Sequence, residues 1–381
     1  MTAMTHRERV LKALNHEETD RIGIDLGGTP VTSIDLNAYR NLIQYLGFDE
    51  DPGIDTDPFH QRLLIAWASE DVLSHFDSDC RALTLGVPEV VPQITVSETE
   101  YIDEWGVTWR RPESGHYIDV VQPFKKQEPT LGDLENHRWP EPKDPGRLRG
   151  VRERAINLHK TDFAVVLTYP YGIVSLCQRL RGFTEWLEDL LINPELAQAF
   201  LEYSVEHNSA IVQAILDEVG EYIDVFLFPD DLGFQDRPYM RLNQYQAQVK
   251  EYHRRFVEAI KSKTKAKVVL HSDGAVAPLV PDLIDCGIDC LNPIQVSAKG
   301  MDSATLQAEY GGDIAFWGGI DTQGILPFGT PDEVRAEVKS RIEDLAPDGG
   351  FILGTVHNIQ PEVPPENVVV LLEAALEYGR Y

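Results

Sequence analysis

From about residue 160 onward, short and almost uninterrupted apolar runs alternate with longer stretches in which apolar residues recur every three to four positions. The runs cover 163–169 (FAVVLTY), 223–228 (IDVFLF), 267–270 (KVVL), 288–291 (IDCL), 314–317 (IAFW) and 351–354 (FILG). Strands this apolar are covered on both faces, which predicts a parallel sheet with helices packed against it. One long helical stretch is expected after the first run, passing through Asn193-Pro194 and closing at Gly220, and another from near Tyr239 to Lys261. Shorter helices end at Gly287 and Gly311, since glycine readily takes the conformation that stops a helix. Thr330-Pro331-Asp332-Glu333 is a capping box with proline at the first helical position, and residues 365–378 form the last helix.

That makes six strand–helix units after residue 160, and the earlier part supplies two more strands, at 21–26 and 79–83. Eight such units close a barrel. The predicted class is therefore α/β, a single (β/α)8 TIM barrel domain over residues 1–381 with an N-terminal helical extension (MTAMTHRERVLKAL). An open doubly wound sheet is the competing arrangement, ranked second because no glycine-rich phosphate turn follows any strand. The rhythm changes over 87–125. There 94–97 and 107–109 alternate in two-residue steps on either side of Asp103-Glu104-Trp105-Gly106, the pattern of a small antiparallel β insertion. Residues 126–149, rich in proline and charge, read as a surface connector.

Charge narrows the partners. Asp and Glu number 62 against 34 Lys and Arg, a net charge of −28. Such a surface repels nucleic-acid phosphates and anionic lipid heads, so neither nucleic acid nor membrane is an expected partner. An anionic substrate would have to be met by a local cluster of cations. No apolar run approaches the roughly 18 residues that a membrane span requires, and the opening segment lacks the apolar core of a signal peptide. Cys80, Cys177, Cys286 and Cys290 show no Cys-x-x-Cys spacing. They read as reduced core thiols of a cytoplasmic protein, with no thiolate pair to hold a metal.

In parallel barrels chemistry collects at the carboxyl ends of the strands. The residues at or just past the predicted ends are Tyr169 and Tyr171, Asp230 and Asp231, His271 and Asp273, Asn292, Asp321 and His357. His271 and Asp273 stand two apart, so in an extended backbone they face the same side and can bind one ion. The alternative is an acid that orients a neighbouring histidine or caps the next helix. His357 lies in a proline-bearing loop at the mouth of the last strand (GTVHNIQPEVPPEN). Together His271, Asp273 and His357 would supply three N/O ligands and leave one position open, the arrangement of a catalytic zinc site. Asp231 is a candidate catalytic carboxylate, Asp230 and Asn292 candidates for positioning substrate or backing the ligands, and Tyr169 and Trp317 candidate apolar walls. Two adjacent acids after a strand also read as a helix cap. Arg179, Arg181, Arg110 and Arg111 are candidate carboxylate clamps, with an ion-paired surface as the alternative. No G-x-S-x-G, Walker lysine or H-E-x-x-H motif is present.

The opening Arg7-Glu8-Arg9-Val10-Leu11-Lys12-Ala13-Leu14 with Asp20-Arg21, the stretch from Asp224 through His271 to Gly319, and the closing Pro364-Pro365-Glu366-Asn367-Val368 resemble the uroporphyrinogen decarboxylase superfamily. The resemblance implies a single (β/α)8 barrel of a kind that often pairs as a homodimer. It also implies one of two chemistries. One branch removes acetate carboxyls from uroporphyrinogen without a cofactor. The other, similar to methylcobamide:coenzyme M methyltransferases, binds zinc through a His-x-Cys pair and a later Cys. Against that pattern His271 matches the histidine, Asp273 stands in the place of the first cysteine, and His357 in the place of the second. The decarboxylase branch should carry an arginine-bearing loop after Asp20-Arg21, where this chain reads Ile22-Gly-Ile-Asp-Leu-Gly-Gly-Thr-Pro30 with no arginine. Asp79 stands for that branch's essential acid. The methyltransferase-like branch is the closer match. It implies a zinc-dependent methyltransferase acting between a small O-methyl substrate and a corrinoid on a separate protein. A cofactor-free decarboxylase using Asp79 on a tetrapyrrole carboxylate is the alternative, and a catalytically silent barrel that binds a ligand or partner is the third reading.

Overall fold

The computed structural model describes residues 4–53, 61–66, 68–113, 117–125 and 129–381. Residues 114–116 of the expected insertion and 126–128 of the expected connector lie outside the described residues. The strands are β1 (Gly23–Ile24), β2 (Cys80–Leu83), β3 (Ile94–Ser97), β4 (Glu100–Ile102), β5 (Thr108–Arg110), β6 (Ile118–Val121), β7 (Ala164–Thr168), β8 (Val225–Pro229), β9 (Lys267–His271), β10 (Cys290–Asn292), β11 (Ala315–Trp317) and β12 (Phe351–Leu353). Eight form one sheet in the order β1-β12-β11-β10-β9-β8-β7-β2, every pair parallel, and helices follow the strands as in a (β/α)8 barrel. Strands β3-β4-β5-β6 make a separate antiparallel sheet. The insertion therefore has four strands where the alternation in the sequence marked two. Strands β4 and β6, of three and four residues, match the marked β5 and β3 in length, and the alternation read from the sequence did not extend to them.

Period-two alternation explains why the strands read as continuously apolar. Ala164 and Val166 of β7, Leu227 of β8, Val269 of β9, Trp317 of β11 and Ile352 of β12 form one cluster. Their neighbours Val165, Leu167, Phe226, Phe228, Val268 and Leu270 belong to another that includes the helices. Both faces of each strand are thus buried, which leaves no polar stripe. The capping box at Thr330 is present: its side chain accepts the Glu333 N–H and Glu333 reaches back to the Thr330 backbone. The long helical stretch after β7 is divided into Ile173–Arg181, Phe183–Ile192 and Pro194–Val219. The breaks fall at Gly182, whose φ of 105° no helix accommodates, and at Asn193 before proline. All four cysteines are free and buried. No helix among the described residues is long and apolar enough to cross a membrane.

Strands β1 and β2 meet at the seam of the barrel, and Asp79 bridges them. Its N–H donates to the Ile24 carbonyl at 2.8 Å, and its carboxylate accepts the Ile24 N–H at 2.7 Å. The same carboxylate takes Arg9 Nη1 and Arg21 Nη1, each at 2.6 Å, and His6 Nδ1 at 2.7 Å. Burial alone would raise this carboxyl, but His6, Arg21 and Arg9 hold it below its ordinary value. Asp79 precedes β2, so it sits at the amino end of the barrel, opposite the end where parallel barrels do chemistry. The assignment of Asp79 as a reactive acid is therefore corrected. It is a charged bolt that closes the sheet.

Asp25, just past β1, is a second buried carboxyl, accepting the Gly28 N–H at 2.8 Å and the Thr32 hydroxyl at 2.6 Å. Burial pushes it up to about 6 despite those donors. A carboxyl raised in the folded state adds stability that is complete below its unfolded value and lost as pH rises through about 6. Asp25→Asn should remove this dependence. Relative to wild type it should gain up to about 3 kcal/mol between pH 4 and pH 7.5, since one pKa unit is about 1.4 kcal/mol. Chemical denaturation of both proteins across that range checks the expectation, and parallel pH profiles would contradict it.

Candidate metal centre

The ends of β8, β9 and β10 are level, because Pro229 pairs with His271 and His271 with Asn292. This register puts the residues that follow β8 beside those that follow β9. Beyond His271 the backbone stays extended: Ser272 donates its N–H to the Asn292 carbonyl at 2.7 Å, and Asp273 donates its own to Asp231 Oδ1 at 3.0 Å. His271 and Asp273 accordingly face one side, with His271 Nε2 3.6 Å from Asp273 Oδ2. His357 arrives from the loop after β12, its ring centroid 5.9 Å from that of His271. One ligand atom from each of His271, Asp273 and His357 lies within 4.8 Å of the others. Residues far apart in sequence thus converge at the carboxyl end of the barrel.

Both imidazoles are aimed in the same way. His271 Nδ1 lies 2.7 Å from Asn292 Oδ1, and Asn292 Nδ2 donates to the Trp317 carbonyl, which fixes the amide so that its oxygen faces the ring. An amide oxygen only accepts, so Nδ1 carries the proton and Nε2 is left for the cluster. His357 Nδ1 bonds Asn358 Oδ1, which also accepts from Gln360 Nε2. Histidines that bind metals are held in this manner, one ring nitrogen on a fixed acceptor and the other on the ion. Asn358 was not read from the sequence as part of the site, although its position next to His357 was a signal.

The charges favour a cation. Burial disfavours a charged His271, but Asp273, with Asp231 beyond it, outweighs burial and raises the imidazole to about 9. Asp273 is pushed up by burial and pulled down further by His271 and His357, ending below its ordinary value. Burial and the neighbouring Asp273 carry Asp231 up to about 6. Among the described residues, Asp273 Oδ1 is buried without a hydrogen-bond partner, which leaves an acceptor for an ion. Two imidazole nitrogens and a carboxylate suit zinc, and three ligands leave a position open. The residues present fit that metal.

The other expected site residues are placed differently. Asp230 is fully buried and accepts the N–H groups of Ile173, Val174 and Ser175 at 2.8, 3.0 and 2.6 Å, capping the helix Ile173–Arg181 from a distance in sequence. His253 Nε2 lies 2.7 Å from it, and Tyr245 hydroxyl 2.8 Å from His253 Nδ1. Gly172 is required there, since a Cβ would lie 2.4 Å from the Asp230 carboxyl carbon. Asp230 is therefore a structural anchor that does not face substrate. Asn292 backs His271. Trp317 is fully buried in the barrel interior rather than at a wall of the site. Tyr169 points its hydroxyl to Asn208 Oδ1 at 2.6 Å, in the helix Pro194–Val219, while its ring borders a cleft under the insertion. Asp231, by contrast, touches the cluster through Asp273.

The family model described as Uroporphyrinogen decarboxylase (URO-D) matches residues 117–378. A uroporphyrinogen decarboxylase of Pelodictyon phaeoclathratiforme is 25% identical over 138 residues, a stretch of 35% of this chain and 38% of that protein. A methylated-thiol–coenzyme M methyltransferase of Methanosarcina mazei is 23% identical over 321 residues, 80% of this chain and 78% of that protein. Among solved structures, a methyltransferase from Methanosarcina mazei superposes with a TM-score of 0.70 at 19% identity, covering 99% of each chain. At that identity the superposition speaks for the fold.

Proposed function

The chain belongs to the uroporphyrinogen decarboxylase family, and from that premise we propose that it is a zinc-dependent methyltransferase, moving a methyl group between a small O-methyl substrate and a corrinoid on a separate protein. The observation that carries the reading is the convergence of His271, Asp273 and His357 at the carboxyl end of the barrel. The likeness to a methyltransferase along most of the chain supports it. These three side chains would hold the metal, which when bound supplies a Lewis acid for the heteroatom that releases or receives the methyl group. A carboxylate and two imidazoles make it harder than thiolates would, suited to oxygen more than to sulfur. Asn292 and Asn358 keep the two Nε2 atoms on target, and Asp231 fixes the Asp273 backbone. Cofactor-free decarboxylation has weaker support: the 22–30 segment has no arginine to grip a polycarboxylate, and Asp79 lies at the opposite end.

An assay with cob(I)alamin as the methyl acceptor and simple methyl ethers as donors, which leave as the alcohols, tests the reading. Methyl transfer should disappear with a chelator and return with zinc, and uroporphyrinogen should not be consumed. Uroporphyrinogen turnover by metal-free protein would overturn it. The asparagines give a finer test. Asn292→Leu should weaken zinc binding by about 10–100-fold, and Asn292→Asp, which keeps an acceptor, much less. Chelator competition measures both, and an unchanged affinity in Asn292→Leu would contradict the orienting role.

A further inference from the structure

Of the four arginines that the sequence offers as carboxylate clamps, two are already engaged. Arg181 pairs with Asp189 at 2.6 Å, and Arg110 with Glu100 at 2.7 Å. Arg111 lies over the Tyr117 ring at 5.8 Å. Arg179 differs. Its Nη1 donates to the Pro170 carbonyl at 3.3 Å, and among the described residues no carboxylate lies within ion-pair distance of its guanidinium. In a chain with 62 acids and 34 bases, a half-buried arginine without an acid partner is not explained by any shortage of acids.

A second cation shares its surroundings. The Arg179 guanidinium carbon lies 5.4 Å from the Trp109 ring centroid and 5.8 Å from that of Tyr171, and Arg62 lies 4.5 and 5.5 Å from the same two rings. Burial and the nearby Arg62 both depress Arg179, while Tyr171, Asp119 and Asp231 act in the other direction. Trp109 belongs to β5 of the insertion, and Tyr171 to the loop after β7 at the carboxyl end of the barrel. The insertion thus lays Trp109 against both cations near the mouth. A cleft lined by Arg62, Tyr101 and Tyr171, and also by Asp103 and Glu104, runs beside these rings.

We propose that Arg179 binds a carboxylate carried by the substrate, so that the methyl donor or acceptor is a small carboxylic acid gripped at one end by guanidinium and presented at the other to the metal centre. The inference rests on the reading of the three-residue cluster for the second half of that statement, and on Arg179 and its surroundings alone for the first. A guanidinium meets a carboxylate with two parallel hydrogen bonds, and a neutral ligand of the same shape offers no such gain.

Methoxyacetate and its neutral counterpart 2-methoxyethanol separate these cases, titrated by calorimetry or ligand-observed NMR into the full chain, metal-free and zinc-loaded. Wild type should bind methoxyacetate at least about tenfold more tightly than 2-methoxyethanol in both forms. Arg179→Gln should bring the two within about twofold, and Arg179→Lys, which keeps the charge but loses the fork, should fall between. His271→Ala should keep the preference even with zinc binding gone, so failure of the metal reading and failure of the carboxylate site give different results. Equal binding of acid and ether alcohol by wild type, no methoxyacetate binding at all, or full preference in Arg179→Gln would overturn the proposal.

Discussion

Replacing His271 with alanine is expected to lower zinc affinity by roughly a thousandfold and to abolish methyl transfer while leaving the barrel folded. A zinc site is worth about 10–16 kcal/mol shared by three or four ligands, so one ligand carries around 4 kcal/mol, and each 1.4 kcal/mol is tenfold. The fold should survive because His271 closes the end of β9, and the strand's packing residues Val268, Val269 and Leu270 are untouched. His357→Ala should behave alike, since its imidazole is the second nitrogen of the cluster. Metal analysis after dialysis, with circular dichroism on the same samples, reads both halves. Wild-type zinc content in either variant, or unfolding in place of metal loss, would remove these histidines from the metal's coordination.

The opposite pattern is expected for Asp79→Ala. Arg9 and Arg21 are nearly buried, and both aim at this carboxylate. Removing it strands two guanidiniums and opens the β1–β2 seam, which should destabilise the protein by about 3–5 kcal/mol, the usual result of breaking a buried pair from one side. Zinc binding at moderate temperature should be unchanged, because the cluster stands at the other end of the strands. Denaturant unfolding and zinc titration on the same variant distinguish structure from chemistry. A variant of wild-type stability that has lost only its activity would restore Asp79 as a reactive acid.

The two residues also show what a sequence can disclose. The barrel was legible because every strand is covered on both faces and leaves an apolar run, and because Thr330 to Glu333 spells out a helix start. The candidate ligands were legible from place: strand ends in a parallel barrel collect chemistry, and His271 and Asp273 are two apart on an extended segment. Function by contact across the fold was not legible. Asp230 reads as well for substrate as for a cap, and the structure decides because its partners, Ile173 to Ser175 and His253, lie tens of positions away. Asn292 reads as a substrate residue and turns out to steer an imidazole. Trp317 looked like a wall and fills the interior, packed with residues from the neighbouring strands. Arg179 was indistinguishable in sequence from Arg181, two positions on, until Asp189 was seen to take the latter.

The central claim is that three side chains from two distant segments share one divalent ion. Anomalous X-ray scattering recorded on either side of the zinc edge, from crystals of protein purified with zinc and without a histidine tag, tests it most directly. The account predicts one strong peak at the carboxyl end of the barrel, within bonding distance of His271 Nε2, the Asp273 carboxylate and His357 Nε2. A map with no peak there, or with zinc bound at another set of residues, would contradict it.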